Sequence, residues 1–176
     1  MKELYIFDVK EEFYKLYKAK PGELFYIFNR IYNMKASDKE YGYNLFCQIS
    51  NFMDKNKVNA LIKNNYKDKI MYSCNGSEHI INNLFLNEIS ILTVKNPNIK
   101  IESNIKKPSF LEDLRDLKLH LFVCDFKEKN YCRGFRCAAF GLCNRNLSSV
   151  FFFCDYSTFL DNAFSDTGFM GQQAKS

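Results

Sequence analysis

The sequence predicts an α+β fold, with helices packed on one face of a small mixed or antiparallel sheet. Three observations carry this prediction. A short apolar strand opens the chain, helically spaced apolar residues crowd into residues 10–65, and strand-like runs separated by turn signals follow from residue 69. The opening strand can join the later ones in a single sheet.

Residues 3–9 read as a strand around Leu4-Tyr5-Ile6-Phe7, and residues 10–19 as the first helix. Asp8 stands where a carboxylate can cap free backbone N–H groups. Glu11 and Glu12 fall in the first turn, where the helix dipole favours negative charge. Phe13 and Tyr17 are four residues apart and so lie one above the other on a helix face. Leu16 with Tyr14 offers a competing face that could serve the core and leave Phe13 and Tyr17 as an exposed anchor. Helical spacing leaves both arrangements open.

Pro21-Gly22 breaks the chain, and a second helix begins near Glu23. Its broad apolar stripe runs through Leu24, Phe25, Ile27, Phe28, Ile31 and Tyr32. Ser37-Asp38-Lys39-Glu40 matches a capping box and opens a third helix through about Asn51. That helix would bury Tyr41, Leu45 and Phe46 or Ile49. A weaker helical pattern covers 54–65 through Val58, Leu61 and Ile62.

Lys69–Ser73 then reads as a strand ending in the turn signal Asn75-Gly76-Ser77. His79–Leu86 fits strand or helix. Ile89–Val94 and Ile99–Glu102 are strands joined by Asn96-Pro97-Asn98, which suggests an antiparallel hairpin. Ser109 can cap a helix over 110–118, and the apolar run Leu119–Phe126 reads as a central strand.

Composition excludes several classes. At 47% hydrophobic and 16% aromatic, the chain is too apolar for a disordered protein. No apolar run approaches the roughly 20 residues of a membrane span. Glu3, Asp8 and Glu11 interrupt any signal-peptide layout, so a cytoplasmic location is expected. The net charge of +5 is dispersed; the densest lysine patch is Lys55, Lys57, Lys63, Lys67 and Lys69, diluted by Asp54 and Asp68. It reads as a solvated helix face, with a basic nucleic-acid-binding regulatory module as the alternative.

From about Cys132 the texture changes: the remainder has one lysine, no glutamate, eight of the 18 phenylalanines and four of the seven cysteines. This marks a distinct add-on or a sequence of different origin, such as a frame-shifted or read-through end. Cys132, Cys137, Cys143 and Cys154 invite a zinc reading, but their gaps of four, five and ten residues suit paired ligands poorly. Cys47, Cys74 and Cys124 read as small buried residues. His79 and His120 lack a recognisable nucleophile motif, Asp125 has no second acid, and no phosphate-binding glycine loop occurs. The chain is therefore not expected to be an enzyme.

The opening Leu4–Asp8 strand, followed by Lys10-Glu11-Glu12-Phe13-x-x-x-Tyr17 and the aromatic helix Leu24-Phe25-Tyr26-Ile27-Phe28, resembles the sporulation inhibitor of replication (SirA) family of endospore-forming Firmicutes. Gln48-Ile49 falls in the following helix as in the family. Ile99–Ser103, the helix over 110–118 and Asp125-Phe126-x-x-x-x-Tyr131 look like its closing strand-helix-strand. The resemblance spans roughly 3–131 and divides the chain into an inhibitor-like domain, 1–131, and a Cys/Phe-rich tail, 132–176.

The resemblance implies a cytoplasmic, monomeric, non-enzymatic protein that inhibits replication initiation during sporulation by occluding the N-terminal domain of the initiator DnaA. It implies neither cofactor nor metal, no direct nucleic-acid contact and no membrane partner. The family's initiator-binding aromatics map onto Phe13 and Tyr17, and its helical glutamine onto Gln48. Replacing Phe13 or Tyr17 by alanine is then expected to abolish binding and leave the protein folded.

Overall fold

Strand β1 (Lys2–Val9) is the spine of the sheet because it is apolar on both faces: Leu4 and Ile6 enter one core, Tyr5, Phe7 and Val9 the other. The computed structural model describes residues 1–133. The predicted tail, with Cys137, Cys143 and Cys154 and the zinc reading that rests on them, lies outside the described residues.

Every strand pairing among the described residues is antiparallel. After α1 (Glu11–Leu16), α2 (Pro21–Tyr32), α3 (Lys39–Ile49), the two-residue β2 (Ser50–Asn51) and α4 (Lys55–Tyr66) come β3 (Tyr72–Asn75), β4 (Glu78–Asn83), β5 (Glu88–Val94) and β6 (Ile99–Ser103). The short α5 (Phe110–Asp113), β7 (Leu121–Asp125) and β8 (Asn130–Arg133) follow. The strand order is β3-β4-β5-β6-β1-β7-β8, with β2 also pairing β1. Asn75-Gly76-Ser77 does turn the chain: Asn75 pairs with Glu78, and Gly76 takes φ +61°, which glycine adopts without steric cost.

The α+β class and antiparallel sheet match the sequence-based prediction. The helices divide between the two faces. On one, Leu24, Phe25 and Phe28 of α2 and Phe46 and Ile49 of α3 pack against Phe7, Val9, Phe122 and Cys124. On the other, Val58, Ile62 and Tyr66 of α4 and Phe110, Leu111, Leu114 and Leu117 pack against Leu4, Ile6, Leu92, Ile101 and Val123. Both layers are required because β1 and β7 are apolar on both sides; one layer would leave half of their side chains in water.

Local signals hold less well at element ends. Asp8 does not cap α1; it is buried and accepts a hydrogen bond from Asn51 Nδ2 (3.1 Å), while Lys10 occupies the N-cap position. The capping box does not form: Ser37 Oγ donates to the neighbouring Asp38, and a 3-10 turn (Ala36–Asp38) precedes α3. Tyr41, expected in the core, is exposed; α3 buries Gly42, Leu45, Phe46 and Ile49 instead. A Cβ on Gly42 would come within 2.7 Å of Met34 Sδ, so the missing side chain makes room for Met34. His79–Leu86 resolves as a strand followed by a turn, and residues 114–117 tighten from α into 3-10.

Ser109 does not cap α5 through its side chain. Its hydroxyl and backbone N–H both donate to the fully buried carboxylate of Glu88, as does Ser90 Oγ (2.6 Å). Glu88 thus ties the start of α5 to β5, and its buried oxygens are satisfied by three donors. Strand β8 continues through Arg133, and Cys132, assigned to the tail by composition, is buried in the sheet's core.

Candidate partner-binding site

Helix α1 is only six residues long and is held by its neighbours. Lys10 N–H donates to the Ile49 carbonyl (3.0 Å) and Lys10 Nζ to the Cys47 carbonyl (2.7 Å). These bonds bracket Gln48, so the exposed Gln48 side chain lies beside the entry to α1. The helix carries its acids first and a lysine last, as its dipole favours, with Lys15 and Glu11 paired at 2.6 Å across one turn.

Phe13 is half-buried and packs against the aromatic core, whereas Tyr17 is buried at 6% exposure within it. Burial, with Glu23 nearby, raises the Tyr17 hydroxyl above its ordinary pKa. Leu16, which the competing face would have buried with Tyr14, is 68% exposed. The reason is angular. At about 100° per residue, Tyr14 and Leu16 are roughly 160° apart, so no single inner face holds both. Phe13, Tyr14 and Tyr17 fall within an arc of about 100° and turn inward together. Tyr17 is therefore a core residue by position, and the exposed apolar surface of α1 is Leu16 with part of Phe13.

Two further exposed rings lie on α3 and just after β2. Tyr43 is 58% and Phe52 49% exposed, with ring centroids 6.3 Å apart, and Phe52 also rests against Phe46 (5.9 Å). Tyr43 sits off the buried Leu45-Phe46-Ile49 stripe, a visible signal; Phe52 follows the helix, where periodicity gives none.

The groups weighed for chemistry are engaged structurally. His79 is fully buried; its Nε2–H donates to Asn59 Oδ1 (2.9 Å) and Nδ1 accepts from the Tyr72 hydroxyl (2.7 Å). Burial, helped by the charge of Lys63, pushes its pKa down to about 4, so the ring is neutral at pH 7. Cys74 stands opposite His79 in the β3–β4 register, yet both ring nitrogens are already committed, and Cys74 is exposed rather than buried. The His120 ring packs against Tyr14 in a tilted arrangement, with centroids 4.8 Å apart and planes at 40°. Asp125 is buried, accepts from Glu128 N–H (2.9 Å) and meets Lys2 Nζ at 3.2 Å. Among the described residues no group of three or more His, Cys, Asp or Glu is placed to hold a metal ion.

The lysines at 55, 57, 63, 67 and 69 are all exposed, as a solvated face requires. No helix among the described residues is long and apolar enough to cross a membrane.

No curated protein matches the chain. Comparison with known families does match residues 2–133, which include every strand and helix described above, to the sporulation inhibitor of replication protein SirA. By that match, which covers most of its length, the chain belongs to the SirA family of replication-inhibiting proteins.

Proposed function

We propose that this chain restrains replication initiation by binding the N-terminal domain of DnaA and covering a surface that the initiator needs for productive assembly. The observation that carries this reading is the junction of α1 with the end of α3, where a short helix carrying the partly buried Phe13 ring and the exposed Leu16 is held beside the exposed Gln48 by two hydrogen bonds from Lys10. A pinned helix presents an aromatic at little further entropic cost, which suits an interface anchor. In this reading Phe13 and Gln48 touch the partner, and Tyr17 backs Phe13 from the core. Binding by occlusion needs no cofactor and no nucleotide.

The reading is tested by titrating the full chain, and a form ending at Arg133, against the separated DnaA N-terminal domain. Phe13→Ala is expected to weaken binding a hundredfold or more, about 3–4 kcal/mol, with the fold retained by circular dichroism. Gln48→Ala is expected to weaken it about tenfold, near 1.4 kcal/mol, with stability changed by less than about 0.5 kcal/mol. Undiminished binding by folded Phe13→Ala would remove α1 from the interface. Tyr17→Ala is a poor test, because its burial makes unfolding the expected result.

A further inference from the structure

The turn joining β4 to β5 is built in reverse of an ordinary surface turn. Hairpin loops usually carry polar or small residues. Here Leu84, Phe85 and Leu86 are consecutive, with exposures of 86%, 100% and 61%. The polar side chains of the loop hold its backbone instead. Asn83 Oδ1 accepts from the N–H groups of Phe85 (3.0 Å) and Leu86 (3.3 Å). Asn104 donates to the Asn87 carbonyl and accepts from Ile89 N–H, each at 2.8 Å. Asn87 takes φ +48° to close the turn. The frame is thus fixed, and three large apolar side chains project from it into water.

Cations flank this tip on both sides. Asn104 places the exposed Lys106 and Lys107 beside it. On the other side, Asn82 N–H donates to the Met71 carbonyl, which brings Lys69 and the fully exposed Ile70 level with the tip. Two exposed acids lie among them: Asp68, and Glu112, which pairs with Lys107 at 3.1 Å and with Arg115 at 2.7 Å; a third, Glu88 at the base of the turn, is buried and bonded by Ser90 and Ser109. Among the exposed groups, Lys69, whose ammonium rests 4.0 Å over the Tyr66 ring, Lys106 and Lys107 stand against Asp68 and Glu112, so the apolar tip has a modest positive surplus beside it.

We propose that the β4–β5 tip is a peripheral membrane contact, in which Leu84, Phe85 and Leu86 enter the interface of an anionic lipid bilayer and the flanking lysines meet its headgroups. A convex tip with a cationic rim is complementary to a soft apolar layer under anionic charge. Such contact needs no spanning segment. It lies at the end of β4, whereas α1 follows the opposite end of the sheet, where β1 terminates, so both surfaces are accessible at once.

Co-sedimentation of the full chain with vesicles tests this. Binding is expected to vesicles of equimolar phosphatidylcholine and phosphatidylglycerol, and to fall at least tenfold with phosphatidylcholine alone or with high salt. The triple variant Leu84→Ser, Phe85→Ser, Leu86→Ser alters only exposed side chains and is expected to lose binding tenfold or more while keeping its circular dichroism spectrum. Because the chain has no tryptophan, Phe85→Trp supplies a single reporter whose emission should shift to the blue with anionic vesicles. Failure of the full chain to bind anionic vesicles, vesicle binding that survives the triple substitution, or unshifted emission from the Phe85→Trp variant would each overturn the proposal. So would a tip variant that binds vesicles normally but loses DnaA, which would make the tip a protein contact.

Discussion

The two faces of the sheet are packed with different chemistry. One is a stack of rings: Phe28 lies between Phe7 (4.3 Å) and Phe122 (5.8 Å), with Phe25 and Tyr131 extending the series. The other is mostly branched aliphatics, Ile6, Ile62, Leu92, Ile99, Ile101 and Leu114, all under 2% exposed. The polar groups divide just as unevenly. His79, Glu88 and Ser90 lie on the aliphatic side, in register with Ile81, Leu92 and Val94. The aromatic side carries α1 and the candidate binding surface. Rings supply large, well-oriented area behind a short helix, while the aliphatic side fixes strand-to-helix joints with buried hydrogen bonds.

The sharpest way to break the aromatic face is Phe28→Ala. Removing the middle ring of the stack is expected to cost about 4 kcal/mol, read by urea denaturation, with the same loss at pH 7 and pH 5. A loss under about 1 kcal/mol would show that the neighbouring rings close over the gap.

The aliphatic face should answer to pH instead. The His79 pKa is lowered from 6.5 to about 4 in the folded chain, so the unfolded chain binds its proton first on acidification. Its contribution is therefore fully present above pH 6.5 and is lost as pH falls towards 4. The expected loss is about 3 kcal/mol across that window, because each tenfold difference in proton affinity between the folded and unfolded chain is worth about 1.4 kcal/mol. His79→Gln should flatten this part of the stability curve, whatever it does to stability at neutral pH. A smaller effect, about 1 kcal/mol by the same denaturation measurement, is expected for Ile62→Val, which removes one buried methylene and leaves every polar contact intact.

Much of this fold is legible in the chain. The β1 strand, the stripes of α2 and α4, the Gly76 turn and the Ile99 hairpin follow from alternation, 3.6-residue spacing and turn chemistry. The candidate site is legible as far as its residues, through the Lys-Glu-Glu-Phe motif and Gln48, which the fold brings together. Their orientation is not. Which side of α1 turns inward depends on the aromatic surface that receives it, and that surface is assembled from β1, β7 and α2. The cap at Asp8 fails for a similar reason: Asn51, 43 residues away in sequence, claims its carboxylate.

The sequence by itself determined the α+β class, most of the order of elements and the family-like opening, because periodicity and turn preference are properties of neighbouring residues. Only the tertiary structure decided that helices cover both faces of the sheet, that Tyr17 is core and Leu16 surface, that His79 is neutral and held at both nitrogens, and that Leu84-Phe85-Leu86 stands in water. Each of these depends on groups far apart in the chain meeting in space, where burial and hydrogen-bond satisfaction outweigh local preference.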